Sequence, residues 1–380
     1  MEKGEATVKK IFISLIVLMA LSVIMVNHVE KTFAADAARP YRIGIVTPTL
    51  SASEDEFRGA VRVSKKYPGM IKHLSLPENF QDEQETAITQ ILSLGDQKDI
   101  KAIIICAGYS GILPAIEKIK KRRPDMVVIT APIWDDPDMM AKYVDLCLDT
   151  NWVKRGITIP EKAKKMGAKT FIHYSFPTHM AKEVLAKRRD TMKETCDRLG
   201  MKFVDLNTPD PTTGAGATPM LQFLQEDIPR QIAKYGKETC IFGTNCPMQD
   251  VIIAKALELK FIMAEQCCPT PTQGFPAAME LEISSKEAGD FDKINSMIKE
   301  KAAASGCTGR LSTWPVPVGY FFPEFSTEVA IGMIEGKIKG LTIENLTPIA
   351  KKVAGVDVYF DKMKPELDNY FLIIMDSVFY

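Results

Sequence analysis

The sequence predicts an α/β protein of two lobes, each a doubly wound and mostly parallel sheet, joined by a hinge that the chain crosses several times. Three observations predict it. Short β-branched runs alternate with amphipathic segments of helical length from Tyr41 onward, the pattern of βαβ units. The alternation restarts after about residue 150, as a second module of the same kind. A chain of 380 residues also exceeds what one hydrophobic core usually organises.

In order, the first lobe has strands at 42–46, 71–76, 102–106, 126–130 and 144–148, with helices at 54–66, 83–94 and 112–122 between them. Ser53, followed by acidic residues, is placed to cap the first helix. After a helical stretch at 152–166, the second lobe has strands at 170–174, 202–206, 239–242 and 261–264, with helices at 178–199, 218–234 and 248–259. The prolines of Ser312-Thr-Trp-Pro-Val-Pro317 keep that run extended ahead of a helix at 323–338, and final strands follow at 356–360 and 370–375. The expected division is a signal peptide at 1–37, a first lobe of 38–150 plus about 310–345, and a second of 151–309 plus about 346–380.

Export is read from the N-terminus. Lys9 and Lys10 precede an apolar run at 11–26, and small residues at Ala34, Ala35 and Ala37 suit signal-peptidase cleavage. An uncleaved anchor is the other reading, although the run is shorter than a bilayer span requires. The first cysteine is Cys106, so no lipidated cysteine lies near the leader. A periplasmic or extracellular location follows. Several of the eight cysteines sit in apolar runs, as Cys106 and Cys147 do, where a free thiol behaves as a small buried hydrophobe.

Charge excludes one class of partner. Lys plus Arg and Asp plus Glu both number 48, so no net field draws the chain to nucleic acid, and no helix-turn-helix pattern precedes the first strand. Phosphate-binding G-x-x-x-x-G-K-[ST], dinucleotide-binding G-x-G-x-x-G after a strand, and the G-x-S-x-G elbow are all missing, and no cofactor is implied.

In open parallel sheets, ligands bind beyond the carboxyl ends of the strands, where backbone N–H groups and helix N-termini converge. That rule selects Thr47, Thr49, Ser51, Gly108 and Tyr109 in the first lobe, with Pro132 and Trp134 beside them. In the second lobe it selects Ser175, Phe176, Thr244, Asn245 and Glu265, and Trp152 stands near the hinge. Hydroxyls, amides and rings with few charges suit a small polar or amphipathic molecule; the same residue types also serve any βα turn as caps. His173 and His179 lack metal-ligand spacing with other ligands, so no metal is assigned.

The run Ile43-Gly-Ile-Val-Thr-Pro-Thr-Leu-Ser-Ala-Ser-Glu-Asp-Glu-Phe-Arg58 and the run His173-Tyr-Ser-Phe-Pro-Thr-His-Met180 resemble segments of an uncharacterised bacterial family, a domain of unknown function with the fold of type I periplasmic solute-binding proteins. The resemblance covers most of the mature chain. It implies a cleft between the lobes, bordered by the 47–54 and 175–178 loops, and carries no ligand with it; the leading expectation from fold, export signal and loop chemistry is a binding protein rather than an enzyme. Such a protein captures a small molecule and presents it to a membrane transporter of the ABC type or to a receptor. The competing expectation is an exported cysteine enzyme: Gly306-Cys-Thr-Gly309 and Asn245-Cys-Pro247 look somewhat like the paired-thiol motifs of cofactor-independent amino-acid racemases, with Cys246 and Cys307, or Cys267, as acid/base or nucleophile.

Overall fold

The structure is a computed structural model that describes residues 39–106, 110–132, 134–284 and 287–380. The signal segment expected at 1–37 lies outside the described residues, and among those described no helix is long and apolar enough to cross a membrane.

The chain begins with β1 (Arg42–Thr47), α1 (Glu54–Lys66), β2 (Ile71–Ser75), α2 (Gln84–Gly95), β3 (Ile100–Ile105), α3 (Leu113–Arg122), β4 (Val127–Thr130), α4 (Pro137–Tyr143) and β5 (Leu146–Thr150). The second series is α5 (Arg155–Lys165), β6 (Thr170–Ser175), α6 (Pro177–Met180), α7 (Glu183–Arg198), β7 (Lys202–Asn207), α8 (Thr218–Tyr235), β8 (Thr239–Gly243) and α9 (Met248–Leu259). The remainder is α10 (Phe275–Ala278), α11 (Phe291–Ala304), β9 (Ser312–Thr313), α12 (Val318–Ile334), α13 (Ile343–Ala354), β10 (Val358–Lys362), β11 (Tyr370–Met375) and β12 (Val378–Phe379).

Two sheets organise the lobes. The larger runs β10-β11-β5-β4-β3-β1-β2 and is parallel except where β10 meets β11. The smaller is the parallel set β7-β6-β8. Bridges from Cys240 to Ile262 and from Met263 to Leu311 carry it toward the β9–β12 pair. The central strands are nearly continuous apolar runs, as strands covered by helices on both faces must be: Ile103, Ile104, Ile105, Val128 and Ile129 are all buried. The chain passes between the lobes after β5, after β9 and after β11, so the expected multi-crossing hinge is present.

Four expectations need correction. The tail assigned to lobe two does not all belong there, because β10 and β11 join the first sheet, with Tyr370 opposite Cys147 and Val358 opposite Met375. The buried run of β11 completes the open edge of β5, and local pattern does not reveal which edge receives a strand. The strand expected at 261–264 is reduced to single bridges. The helix expected at 178–199 breaks, because Phe176 stacks on His179 at 4.1 Å over the short first turn and Lys182 then turns extended ahead of α7. The helix expected at 323–338 starts earlier, at Val318, with Pro323 inside it.

Proline is accommodated there by a close helix crossing. The carbonyl of Gly319, which a residue-323 N–H would otherwise bond, faces α1. A Cβ on Gly59 would lie 2.4 Å from that carbonyl oxygen, and one on Gly319 would lie 2.6 Å from the Cβ of Asp55. These glycines let α12 press on α1 backbone to backbone. Gly59→Val is therefore expected to destabilise the protein by about 1–3 kcal/mol, as overpacking of a close contact does, measured as a lowered urea midpoint with an unchanged slope.

Candidate functional site

A cavity of about 420 Å³ lies between the lobes at the carboxyl ends of both sheets. The first lobe lines it with Pro48 after β1, Pro132 and Trp134 after β4, Asp149 at the end of β5, and Ser53, Asp55 and Glu56 at the start of α1. The second lobe contributes Cys246 after β8, with Cys268, Thr270 and Gln273 from the loop that follows. Thr150, Trp152, Trp314 and Pro317 come from two of the crossings. Strand polarity explains the convergence, since right-handed crossovers put every βα loop of a lobe along one edge.

All three tryptophans of the chain, Trp134, Trp152 and Trp314, line this space. Phe80 and Phe322 add further ring surface. Behind the rings lie two fully buried guanidiniums: Arg155 is 5.2 Å from the Trp152 ring and 5.7 Å from the Trp314 ring, and Arg188 is 5.8 Å from Trp152 and 5.1 Å from Phe242. Glu265 holds Arg155 at 2.8 Å and Lys162 at 2.5 Å, and accepts from Trp314 Nε1 at 3.1 Å. The remaining Arg155 donors reach the carbonyls of Cys267 and Gln266, both at 2.6 Å. Trp314 is thus fixed from behind by the side-chain network that joins α5 to the 265–267 loop.

Two carboxylates facing the cavity behave unusually. Asp149 is pushed up to about 7 by burial, only partly offset by the Thr150 N–H at 2.6 Å and a hydrogen bond from Trp152. Asp55 is also pushed up to about 7, first by burial and then by its neighbours Glu56 and Glu54, against the pull of Arg58. Neither forms an ion pair within 4 Å among the described residues, while Arg58 is held by Glu54 at 2.6 Å. Glu56 accepts from the Ser53 hydroxyl. The expected cap is therefore altered: Ser53 occupies the capping position with extended backbone, but its hydroxyl serves Glu56 rather than a backbone N–H.

Three thiols gather on the second-lobe wall. Cys246 and Cys268 have their sulfurs 3.5 Å apart, and Cys267 lies behind them with its sulfur 3.0 Å from the Thr244 carbonyl and 3.8 Å from Arg188 Nη2. Hydrogen bonding from Cys268, helped by the charges of Arg188 and Arg155, holds the Cys267 thiol well below its ordinary range. Arg188 Nε and Nη1 have no hydrogen-bond partner.

Of the residues expected from sequence to border a ligand, Pro132, Trp134 and Trp152 line the cavity. Gly108 and Tyr109 lie outside the described residues. The others point elsewhere. Thr47 is buried, its hydroxyl donating to the Pro48 carbonyl at 2.8 Å and lying 2.8 Å from His73 Nε2. Thr49 donates to Glu78 at 2.5 Å and lies 3.2 Å from Ser51, so both belong to an outer loop. Ser175 and Thr244 bond each other at 3.0 Å, and Phe176 is buried under His179. The Asn245 carbonyl accepts from Gln249, and Glu265 is consumed by its ion pairs. The strand-end rule points to the rim where this cavity opens, but a residue that terminates a strand points into the cavity or into the core according to the pleat.

Asp149 and Thr150 were missed because β5 extends two residues beyond the expected end at 148. Asp55 reads as an ordinary first-turn acid, and only the α12 crossing shows that it is enclosed. Cys268, Thr270 and Gln273 follow no strand and carried no signal.

Two parallel sheets whose strand tips share a cavity, joined by three crossings, define the type I periplasmic-binding-protein fold. The chain belongs to the DUF3798 family, described as proteins of unknown function, whose pattern it matches over residues 41–312. An uncharacterised protein of Treponema pallidum (strain Nichols) is 31% identical over 189 residues, which are 48% of this chain and 86% of that one. A crystal structure from Clostridium difficile 630, described as that of a candidate transcriptional regulator, superposes with a TM-score of 0.87 at 36% identity, covering 90% of this chain and all 100% of the other. A sugar ABC transporter protein from Actinomyces odontolyticus ATCC 17982 superposes with a TM-score of 0.53 at 11% identity, covering 79% of this chain and 85% of that one, a likeness of fold alone.

The raised carboxyl of Asp149 has a thermodynamic sign. Above the ordinary carboxylate range the unfolded chain has lost this proton while the folded chain keeps it up to about 7, so the group's contribution to stability falls as pH rises through that window. Asp149→Asn removes the dependence. Relative to wild type without ligand, the variant is expected to gain roughly 1–3 kcal/mol between pH 5 and pH 8, read from denaturant unfolding at the two values.

Proposed function

We propose that this chain is an extracytoplasmic solute-binding protein that captures a small molecule in the interlobe cavity and hands it to a membrane transporter or receptor. The observation that carries the reading is the cavity itself: about 420 Å³ at the carboxyl ends of two parallel sheets, walled by every tryptophan in the chain. Its volume and its mixture of rings with a few polar groups suit a ligand of ordinary metabolite size. The type I binding-protein fold supports it.

Binding in such a site needs no covalent step. A molecule touching Asp149 and Trp134 on one side and Thr270 and Gln273 on the other favours the arrangement in which both sets of contacts are made. The equilibrium shifts by the contact free energy that this arrangement alone supplies. Three crossings allow the lobes to move about the hinge, while the buried Glu265 ion pairs hold the hinge side of the cavity in place.

The pairing of Cys246 with Cys307 loses its geometry. Cys246 stands just before the N-terminus of α9, whereas the Cys307 sulfur bonds the carbonyl of Ala256 in the last turn at 3.4 Å. The rise from Cys246 to Ala256 is about 15 Å, too far for two sulfurs to serve one carbon from opposite faces. Burial raises the Cys307 thiol as well.

A titration of metabolites followed by tryptophan fluorescence and thermal unfolding tests the proposal. A true ligand changes the emission and, at one hundred times its Kd, stabilises the protein by about 2.7 kcal/mol. Trp152→Ala is expected to weaken that ligand by about tenfold or more, and Cys246→Ser with Cys307→Ser to leave binding in place, since no thiol chemistry is required. Turnover of a solute that stops when these cysteines are replaced would refute the binding-protein reading.

A further inference from the structure

We infer that the interlobe cavity is built for a small organic cation, an amine or quaternary ammonium carrying an apolar body. The inference rests on the reading of this cavity as the solute site and names the class of solute. Among the described residues its wall holds three carboxylates, Asp55, Glu56 and Asp149, and no lysine, arginine or histidine. The same wall presents the three tryptophans, with Phe80 and Phe322 beside them. Indole faces and unpaired carboxylates attract the same kind of ligand, for the ring quadrupole and the anion both favour positive charge.

The nearby cations stand outside this wall. Arg155 and Lys162 share Glu265, at 2.8 and 2.5 Å, Arg58 is held by Glu54 at 2.6 Å, and Arg188 lies 3.8 Å from the Cys267 sulfur behind the rings. Asp149, by contrast, is met by neutral donors, the Thr150 N–H and Trp152, and Tyr370 lies behind it. Asp55 is flanked on α1 by Glu54, Glu56 and Arg58 and faces Tyr320 on α12. Holding two half-buried carboxyls without a countercharge costs stability, and that cost is recovered when a ligand brings the missing positive charge. An anion would oppose the ionisation of these carboxyls, and a neutral sugar would bring them no countercharge.

Proton linkage follows from the same geometry. With the cavity empty, Asp55 and Asp149 hold protons up to about 7, and a cation binds best to the ionised pair. Binding therefore releases protons, and affinity falls as the pH is lowered from 8 to 6, while an aliphatic amine stays charged throughout.

The experiment compares cations with neutral molecules of the same shape. Choline, phenethylamine and putrescine are titrated into the purified protein beside 3,3-dimethylbutan-1-ol, 2-phenylethanol and 1,4-butanediol, with arabinose and leucine as further solutes, following tryptophan emission and calorimetric heat. At least one cation is expected to bind at least about tenfold more tightly than its neutral counterpart, and to lose about tenfold or more in Asp149→Asn and in Asp55→Asn. Each variant is checked for folding by its unfolding midpoint, and the wild-type comparison of isosteres needs no variant at all. Equal affinity for a cation and its isostere, or cation binding unchanged in both variants, overturns the inference. Tight binding of arabinose or leucine in this cavity with none of the cations overturns the cation class while leaving the solute-binding reading intact. No binding by any of the eight solutes refutes the inference for these cations and counts against the binding reading as well.

Discussion

A single buried carboxylate organises the centre of this molecule. Glu265 lies out of solvent between Arg155, Lys162 and the Trp314 indole, and Arg155 then spends its remaining donors on the carbonyls of residues 266 and 267. Those groups come from the first crossing helix, from the loop after the fourth run of the second lobe, and from the second crossing. Breaking a buried pair by removing one partner typically costs about 3–5 kcal/mol, because the survivor is left charged without solvent. Its effect reaches further than stability. It fixes Trp314 and the back of Trp152, and so fixes one wall of the cavity before any ligand arrives.

The front of the cavity follows the opposite rule. Asp149 and Asp55 are enclosed without counterions, so both carboxyls hold their protons to about 7. Behind the rings Glu265 is held by both Arg155 and Lys162; in front of them, Asp149 and Asp55 have no ion-pair partner among the described residues. Such a division is what a preorganised binding site requires: a rigid supporting layer and an exposed set of groups whose partner is to come from outside. The close approach of Gly319 to α1 belongs to the same scheme, since it is what buries Asp55.

Much of the first lobe was legible because its signals are local. The period of apolar residues placed β1, β2, α1 and α3 within a residue or two, and continuous buried runs such as Ile103 to Ile105 marked strands covered on both faces. The elements that went unread are those whose identity is settled by neighbours. The run at 261–264 has strand composition but makes only single bridges, and Pro323 sits within a helix where the freed Gly319 carbonyl faces the close crossing with α1. Among the candidate site residues, Trp152 was found by its place at the hinge; Thr47, Ser175 and Thr244 were named for lying at strand ends and instead turn into hydrogen bonds beneath the surface.

The sequence by itself determined the class of architecture and the edge along which the βα loops of each sheet gather, since strand polarity and crossover hand follow from the order of elements along the chain. Only the tertiary structure decided which side chains face that space, that β10 and β11 complete the first sheet, and that Cys246 and Cys307 stand at opposite ends of one helix. The reason is physical: pleat, burial and the meeting of charges from distant segments are properties of packing. An aspartate such as Asp149 carries no mark in the sequence of whether its counterion will come from the protein or from a ligand.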